Sequence, residues 1–152
     1  MEKIIITNHN DLLEMVGKEI GPSEYVQITQ EQINKFAEAT GDYQWIHTDP
    51  ERAKTESPFK KTIAHGYLTV SLIPVLIFKI IEVQNCKMQV NYSIDKMRFG
   101  APVVVDSSVR IVLNFTEAKK LRDIIKLTLS LKIEIKDEKK PALTGEIVLL
   151  YS

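Results

Sequence analysis

From Lys87 to the carboxyl terminus, apolar and polar residues take turns. The clearest run is Ile125 to Lys136, where Ile125, Leu127, Leu129, Leu131, Ile133 and Ile135 alternate with Lys126, Thr128, Ser130, Lys132, Glu134 and Lys136. A period of two with one apolar face predicts a strand of an antiparallel sheet covered on one side. Val109, Ile111, Leu113 and Phe115 repeat the pattern, and Asp137 to Lys140 reads as a turn into a last strand near Leu143 to Tyr151. The segment from about Gly66 to Ile81 behaves differently. Leu68, Val70, Leu72, Ile73, Val75, Leu76, Ile77, Ile80 and Ile81 would surround a helix with apolar side chains on every face, which predicts a buried helix. At ~1.5 Å per residue it would be ~24 Å long, and Pro74 inside it should kink it or loosen a turn.

Shorter elements precede it. Thr29-Gln30-Glu31-Gln32 has the form of a capping box, opening a helix with Ile33, Phe36 and Ala37 on one face and Gly41 at its end. Asp49-Pro50-Glu51 is a second helix start, cut short by Ser57-Pro58. Asp11 is placed to cap a turn through Leu12 to Val16, and Tyr25 to Ile28 suggests a short strand. The expected class is α+β, one long antiparallel sheet wrapped around one apolar helix.

Composition narrows the picture further. The 152 residues fit one domain spanning 1–152 and large enough to bury a core without disulfides or metals. With 44% hydrophobic and 26% charged residues, the chain has the composition of a soluble globular protein. Lys plus Arg equals Asp plus Glu at 20 each, so the basic surplus that nucleic-acid binding needs is missing. The lone Cys86 excludes a disulfide scaffold. The Ile4-Ile5-Ile6 run is too short for a signal-peptide core, and Tyr67 to Ile81 falls short of the ~20 apolar residues of a membrane span. A soluble, cytoplasmic protein without membrane contact is expected.

Candidate chemistry gathers around two of the three histidines; His9, between Asn8 and Asn10, reads as a solvated surface residue. Asp42 and His47 share the loop between two short helices, which Gly41 lets turn tightly and Asp49-Pro50 ends. On a folded loop an acid and an imidazole can face one water and form an acid/base dyad, with the apolar Trp45 and Ile46 beside them to perturb their pKa values. A purely structural reading, with Asp42 bracing the loop and His47 a satisfied ring, stands beside it. Ala64-His65-Gly66-Tyr67 opens the apolar helix, where Gly66 would let a carbonyl oxygen approach a free backbone N–H closely or would only permit a tight turn. No HxxxH or HxH pair exists, so Asp42, His47, Asp49 and His65 are not expected to hold a metal.

Ala39-Thr40-Gly41-Asp42-Tyr43-Gln44-Trp45-Ile46-His47-Thr48-Asp49-Pro50-Glu51-Arg52-Ala53, followed by Ala64-His65-Gly66-Tyr67-Leu68-Thr69, resembles the MaoC-like dehydratase family. That family includes (R)-specific enoyl-CoA hydratases, and the Gln44-Trp45-Ile46-His47 version is similar to its nodulation-protein-N-like branch. Val90 to Val103 also matches the branch. The resemblance implies a hot-dog fold, usually paired into dimers, and so a homodimer or a higher even oligomer. It implies Asp42 and His47 as the dyad and Gly66 as the oxyanion-hole glycine, with no cofactor. The implied reaction is reversible hydration of a trans-2-enoyl thioester, of CoA or acyl-carrier protein, to an (R)-3-hydroxyacyl thioester. Trp45, His65, Tyr67 and Ser71 are expected on the substrate-binding surface. Trp45 falls where the common hydratase form has proline, so its ring should border the pocket mouth. Ser71 is the candidate for a helix hydroxyl that hydratases carry where Pro74 stands here. Two rival readings use the same fold: an acyl-CoA thioesterase, and a non-catalytic acyl-thioester binding module.

Overall fold

The computed structural model describes residues 3–152. The chain begins with strand β1 (Ile4–Ile6), a 3-10 helix (His9–Met15), and the short strands β2 (Glu19–Ile20) and β3 (Val26–Gln27). Three helices follow, α1 (Gln30–Thr40), α2 (Trp45–Thr48) and α3 (Pro50–Glu56), and then α4 (Gly66–Ser71) and α5 (Ile73–Ile80). Strand β4 (Ile81–Val83) leads to four long strands, β5 (Gln89–Phe99), β6 (Ser108–Leu121), β7 (Ile124–Ile135) and β8 (Leu143–Tyr151).

The long strands form one antiparallel sheet in the order β2-β6-β7-β8-β5, with β3 also on β6. β1 and β4 make a separate parallel pair. The six apolar residues expected to point inward from β7 are all buried, at 0 to 4% exposure. Facing them, Leu68 of α4, Leu72 at the junction, and Ile73, Leu76, Ile77 and Ile80 of α5 pack into the same core. The α+β arrangement expected from the alternation is the one observed.

The apolar helix is two helices. Pro74 has no N–H to give the Val70 carbonyl and its ring would crowd that oxygen, so α4 ends at Ser71 and α5 starts at Ile73 with Pro74 in its first turn. Leu72 stays in the right-handed region (φ −80°, ψ −12°), so the direction largely continues. Nor is the segment buried on every face. Val75 and Phe78 are 44% and 52% exposed, because the sheet of one chain covers only one side of it.

Smaller corrections fall near the amino terminus. Asn8, not Asp11, is the N-cap of the 3-10 helix, with the Asp11 side chain closing a capping box back to the Asn8 N–H. His9 is half-buried rather than solvated. Among the described residues no helix is long and apolar enough to cross a membrane.

Candidate active site

The site begins where α1 ends. Gly41 takes a left-handed conformation (φ +79°) that few other residues adopt cheaply, and its N–H closes on the Ala37 carbonyl. That turn releases Asp42, whose carboxylate accepts a 3.3 Å hydrogen bond from the Gln44 N–H. The single turn α2 then swings His47 inward, and Asp49 ends the loop by capping α3 through the Arg52 N–H at 2.9 Å.

His47 is anchored from two distant parts of the chain. The Gln30 side-chain amide donates to the His47 carbonyl at 2.7 Å, and its oxygen accepts from the Thr62 hydroxyl. The His47 Nδ1 lies 2.7 Å from the Ile63 carbonyl. A carbonyl only accepts, so Nδ1 carries the proton and Nε2 keeps the lone pair. Burial pushes the His47 pKa below the ordinary imidazole value; the Ile63 hydrogen bond opposes this, His65 adds to it, and Asp42 opposes it. The neutral, proton-accepting form is therefore favoured.

His65 is the N-cap residue of α4, and its Nε2 donates to the Asp42 backbone carbonyl at 2.9 Å. Its ring stacks on His47 with centroids 3.9 Å apart and packs against Phe36 on another side at 5.0 Å. At 2% exposure it is sealed off, and its Nδ1 has no partner among the described residues.

The ligand-type atoms of Asp42, His47 and His65 all lie within 4.8 Å of one another. Two hydrogen bonds of ~2.8 Å at a tetrahedral oxygen span about 4.6 Å, so one water fits between a carboxylate and an imidazole at that separation. A metal fits less well. Imidazole lone pairs lie in the ring plane, and rings stacked 26° from parallel aim them side by side rather than at one point.

One cavity opens directly on His47; it measures about 430 Å³ and is walled by His47, Gly66, Tyr67, Thr69, Phe59 and Phe99 among others. Gly66 is needed there for room, since a Cβ at this position would sit 2.8 Å from the Phe99 ring. The expected residues thus divide. His47, Gly66 and Tyr67 line the cavity, while Asp42, Trp45, His65 and Ser71 do not. Trp45 lies under the Arg52 guanidinium, 4.3 Å from its ring centre. Ser71 donates its hydroxyl to the Tyr67 carbonyl at 2.8 Å and faces a second cavity with Pro74 and Ile94. His65 sits behind His47, its ring stacked on the His47 ring. Thr69 was not singled out by sequence reasoning; its spacing of three from Gly66, one helix face, is the signal that points to it.

The MaoC like domain model matches residues 11–136. The chain is 42% identical to 3-hydroxyacyl-thioester dehydratase Z of Mycobacterium tuberculosis over 93% of both chains. It is 40% identical to nodulation protein N of Rhizobium meliloti, covering 93% of this chain and 89% of that protein. Among solved structures, the (R)-hydratase from A. caviae involved in PHA biosynthesis superposes with a TM-score of 0.70 at 25% identity, covering 88% of this chain and 94% of that one. The chain belongs to the MaoC-like dehydratase family and has its hot-dog fold. It is an enzyme of the hydratase/dehydratase class.

Proposed function

We propose that this protein reversibly adds water to trans-2-enoyl thioesters, of CoA or acyl-carrier protein, and yields (R)-3-hydroxyacyl thioesters. The observation that carries the reading is a carboxylate and a neutral imidazole within 4.8 Å of each other, the imidazole opening on an apolar cavity. Asp42 and His47 hold the attacking water. Its oxygen bonds to C3, its proton passes to the pair, and a proton is delivered to C2, so the net change is one H and one OH across the double bond. The Gly66 N–H polarises the thioester carbonyl and stabilises the enolate-like charge that develops as water adds. Tyr67 borders the acyl group. His65 acts behind the reacting atoms, holding the Asp42 backbone and the plane of the His47 ring. A CoA or acyl-carrier thioester substrate supports a cytoplasmic role in fatty acid metabolism.

The active form is a homodimer or a higher even oligomer. Among the described residues β5 pairs with β8 alone and is an edge, and Tyr92 and Ile94 on it are 60% and 56% exposed. Sedimentation showing only a 17.3 kDa species at micromolar concentration would overturn this. The reaction is tested by following loss of the enoyl absorbance from crotonyl-CoA to hexadecenoyl-CoA, with chiral analysis of the product. An (R)-3-hydroxyacyl product is expected; release of free thiol would instead identify a thioesterase.

A further inference from the structure

We propose that Thr69 is a further catalytic residue, whose hydroxyl donates a hydrogen bond to the thioester carbonyl oxygen in the cavity it shares with His47. This rests on the reading of that cavity as the thioester site.

Thr69 is 4% exposed, yet it lines the cavity with His47 and Gly66. A threonine hydroxyl within a helix ordinarily satisfies itself on the carbonyl four residues back. Thr40 does so on Phe36 at 2.7 Å, and Ser71 on Tyr67 at 2.8 Å. The Thr69 hydroxyl makes no such bond to the His65 carbonyl, although that oxygen accepts from the Thr69 N–H at 3.2 Å as helical carbonyls do. No side-chain hydrogen bond engages the Thr69 hydroxyl among the described residues. Unlike His65 Nδ1, the Thr69 oxygen is not sealed from solvent, so the space open to it is the cavity. What the position lacks is an acceptor or donor arriving in the cavity.

The chemistry of the cavity says which. Among the described residues its other hydrogen-bonding side chains are His47 and the phenol of Tyr67, a residue 73% exposed; the rest of the wall is apolar or backbone. His47 is engaged with the water that attacks C3. Thr69 lies on the helix instead, one turn from Gly66, on the side where the carbonyl oxygen must rest. As C2 gains electron density that oxygen becomes more negative, and a positioned hydroxyl donor strengthens its bond in the transition state.

The test compares Thr69→Val, which keeps the shape, with Thr69→Ser, which keeps the hydroxyl. Thr69→Val should lower kcat for crotonyl-CoA by about 10²-fold, with unchanged thermal midpoint, while Thr69→Ser retains most of the rate. Thr69→Val at the wild-type rate overturns the proposal, as does Thr69→Ser falling as far as Thr69→Val, which would assign the methyl group a packing role. Binding of butyryl-CoA, an unreactive thioester, is measured in parallel. Loss of a neutral hydrogen bond should weaken it for Thr69→Val by about 2–10-fold. If the wild type shows no hydration, the functional reading fails and the butyryl-CoA comparison alone decides: equal dissociation constants for wild type and Thr69→Val overturn the role of Thr69.

Discussion

His47 and Asp42 leave the same loop, yet their surroundings differ sharply. The His47 ring is wedged between the Ile63 carbonyl and the His65 ring at 6% exposure, whereas the Asp42 side chain keeps 52% of its surface. The inner wall of the site is assembled from segments far apart in sequence, with α1, the loop at Thr62–Ile63 and α4 all contributing. The outer lip, with Asp42 and Trp45, is held mainly by local turns and caps. Changes on the inner wall should therefore touch both catalysis and stability, and changes on the lip only one of them.

The largest effect comes from the pair itself. Asp42→Asn and His47→Gln should each lower kcat by roughly 10²–10⁴-fold in the hydration assay. Calorimetry should separate them. Asp42→Asn is expected within about 0.5 kcal/mol of wild type, while His47→Gln, which disturbs a buried hydrogen-bonded ring, should cost about 1–3 kcal/mol. Equal destabilisation by both would erase the distinction between wall and lip.

Next is Gly66. Gly66→Pro removes the proposed N–H donor at a helix position that tolerates proline, and should reduce kcat by about 10²–10³-fold. Gly66→Ala keeps the donor, but its methyl group would meet the Phe99 ring at 2.8 Å. It becomes a clean steric control in a Phe99→Ala background, where the proline variant should still be the slower. Equal rates for the two would mean that Gly66 only makes room.

A smaller, graded effect is expected with pH. Burial holds the folded pKa of His47 below the ordinary imidazole value, so the unfolded chain takes up the proton first on acidification. The contribution of His47 to stability is thus present above pH ~6.5 and is lost as the pH falls through the folded value. The neutral base persists over the same range, so the acid limb of kcat/KM should have its midpoint below pH ~6.5. A midpoint above that value would contradict the burial of the ring.

The smallest effect belongs to the lip. Trp45→Ala should lose the Arg52 contact, about 0.5–1 kcal/mol at an exposed site, and leave kcat for short enoyl-CoAs unchanged. A marked loss of rate would return the ring to the pocket mouth, where the resemblance placed it.

The alternation in β6, β7 and β8 was legible along the chain because a strand with one covered face must repeat every two residues wherever it lies. The caps at Thr29 and Asp49 and the turn at Gly41 were legible for a similar reason: each is completed by backbone within a few residues. Asp42, His47 and Gly66 could be nominated from their motifs. Their mutual placement could not, since it depends on hydrogen bonds that join Gln30 to His47 and His65 to Asp42 across long stretches of chain.

Periodicity likewise reports apolar surface and is silent about what covers it. Val75 and Phe78 look as buried in the sequence as Leu76 and Ile77, and only the one-sided sheet left them exposed. Trp45, His65, Ser71 and Thr69 show the same limit within the site. Residue type says that a ring or a hydroxyl is present; the direction in which it points is decided by the packing of the elements that carry it. Tertiary structure turned Trp45 toward Arg52, tied Ser71 to Tyr67, hid His65 behind His47, and set Thr69 on the cavity wall.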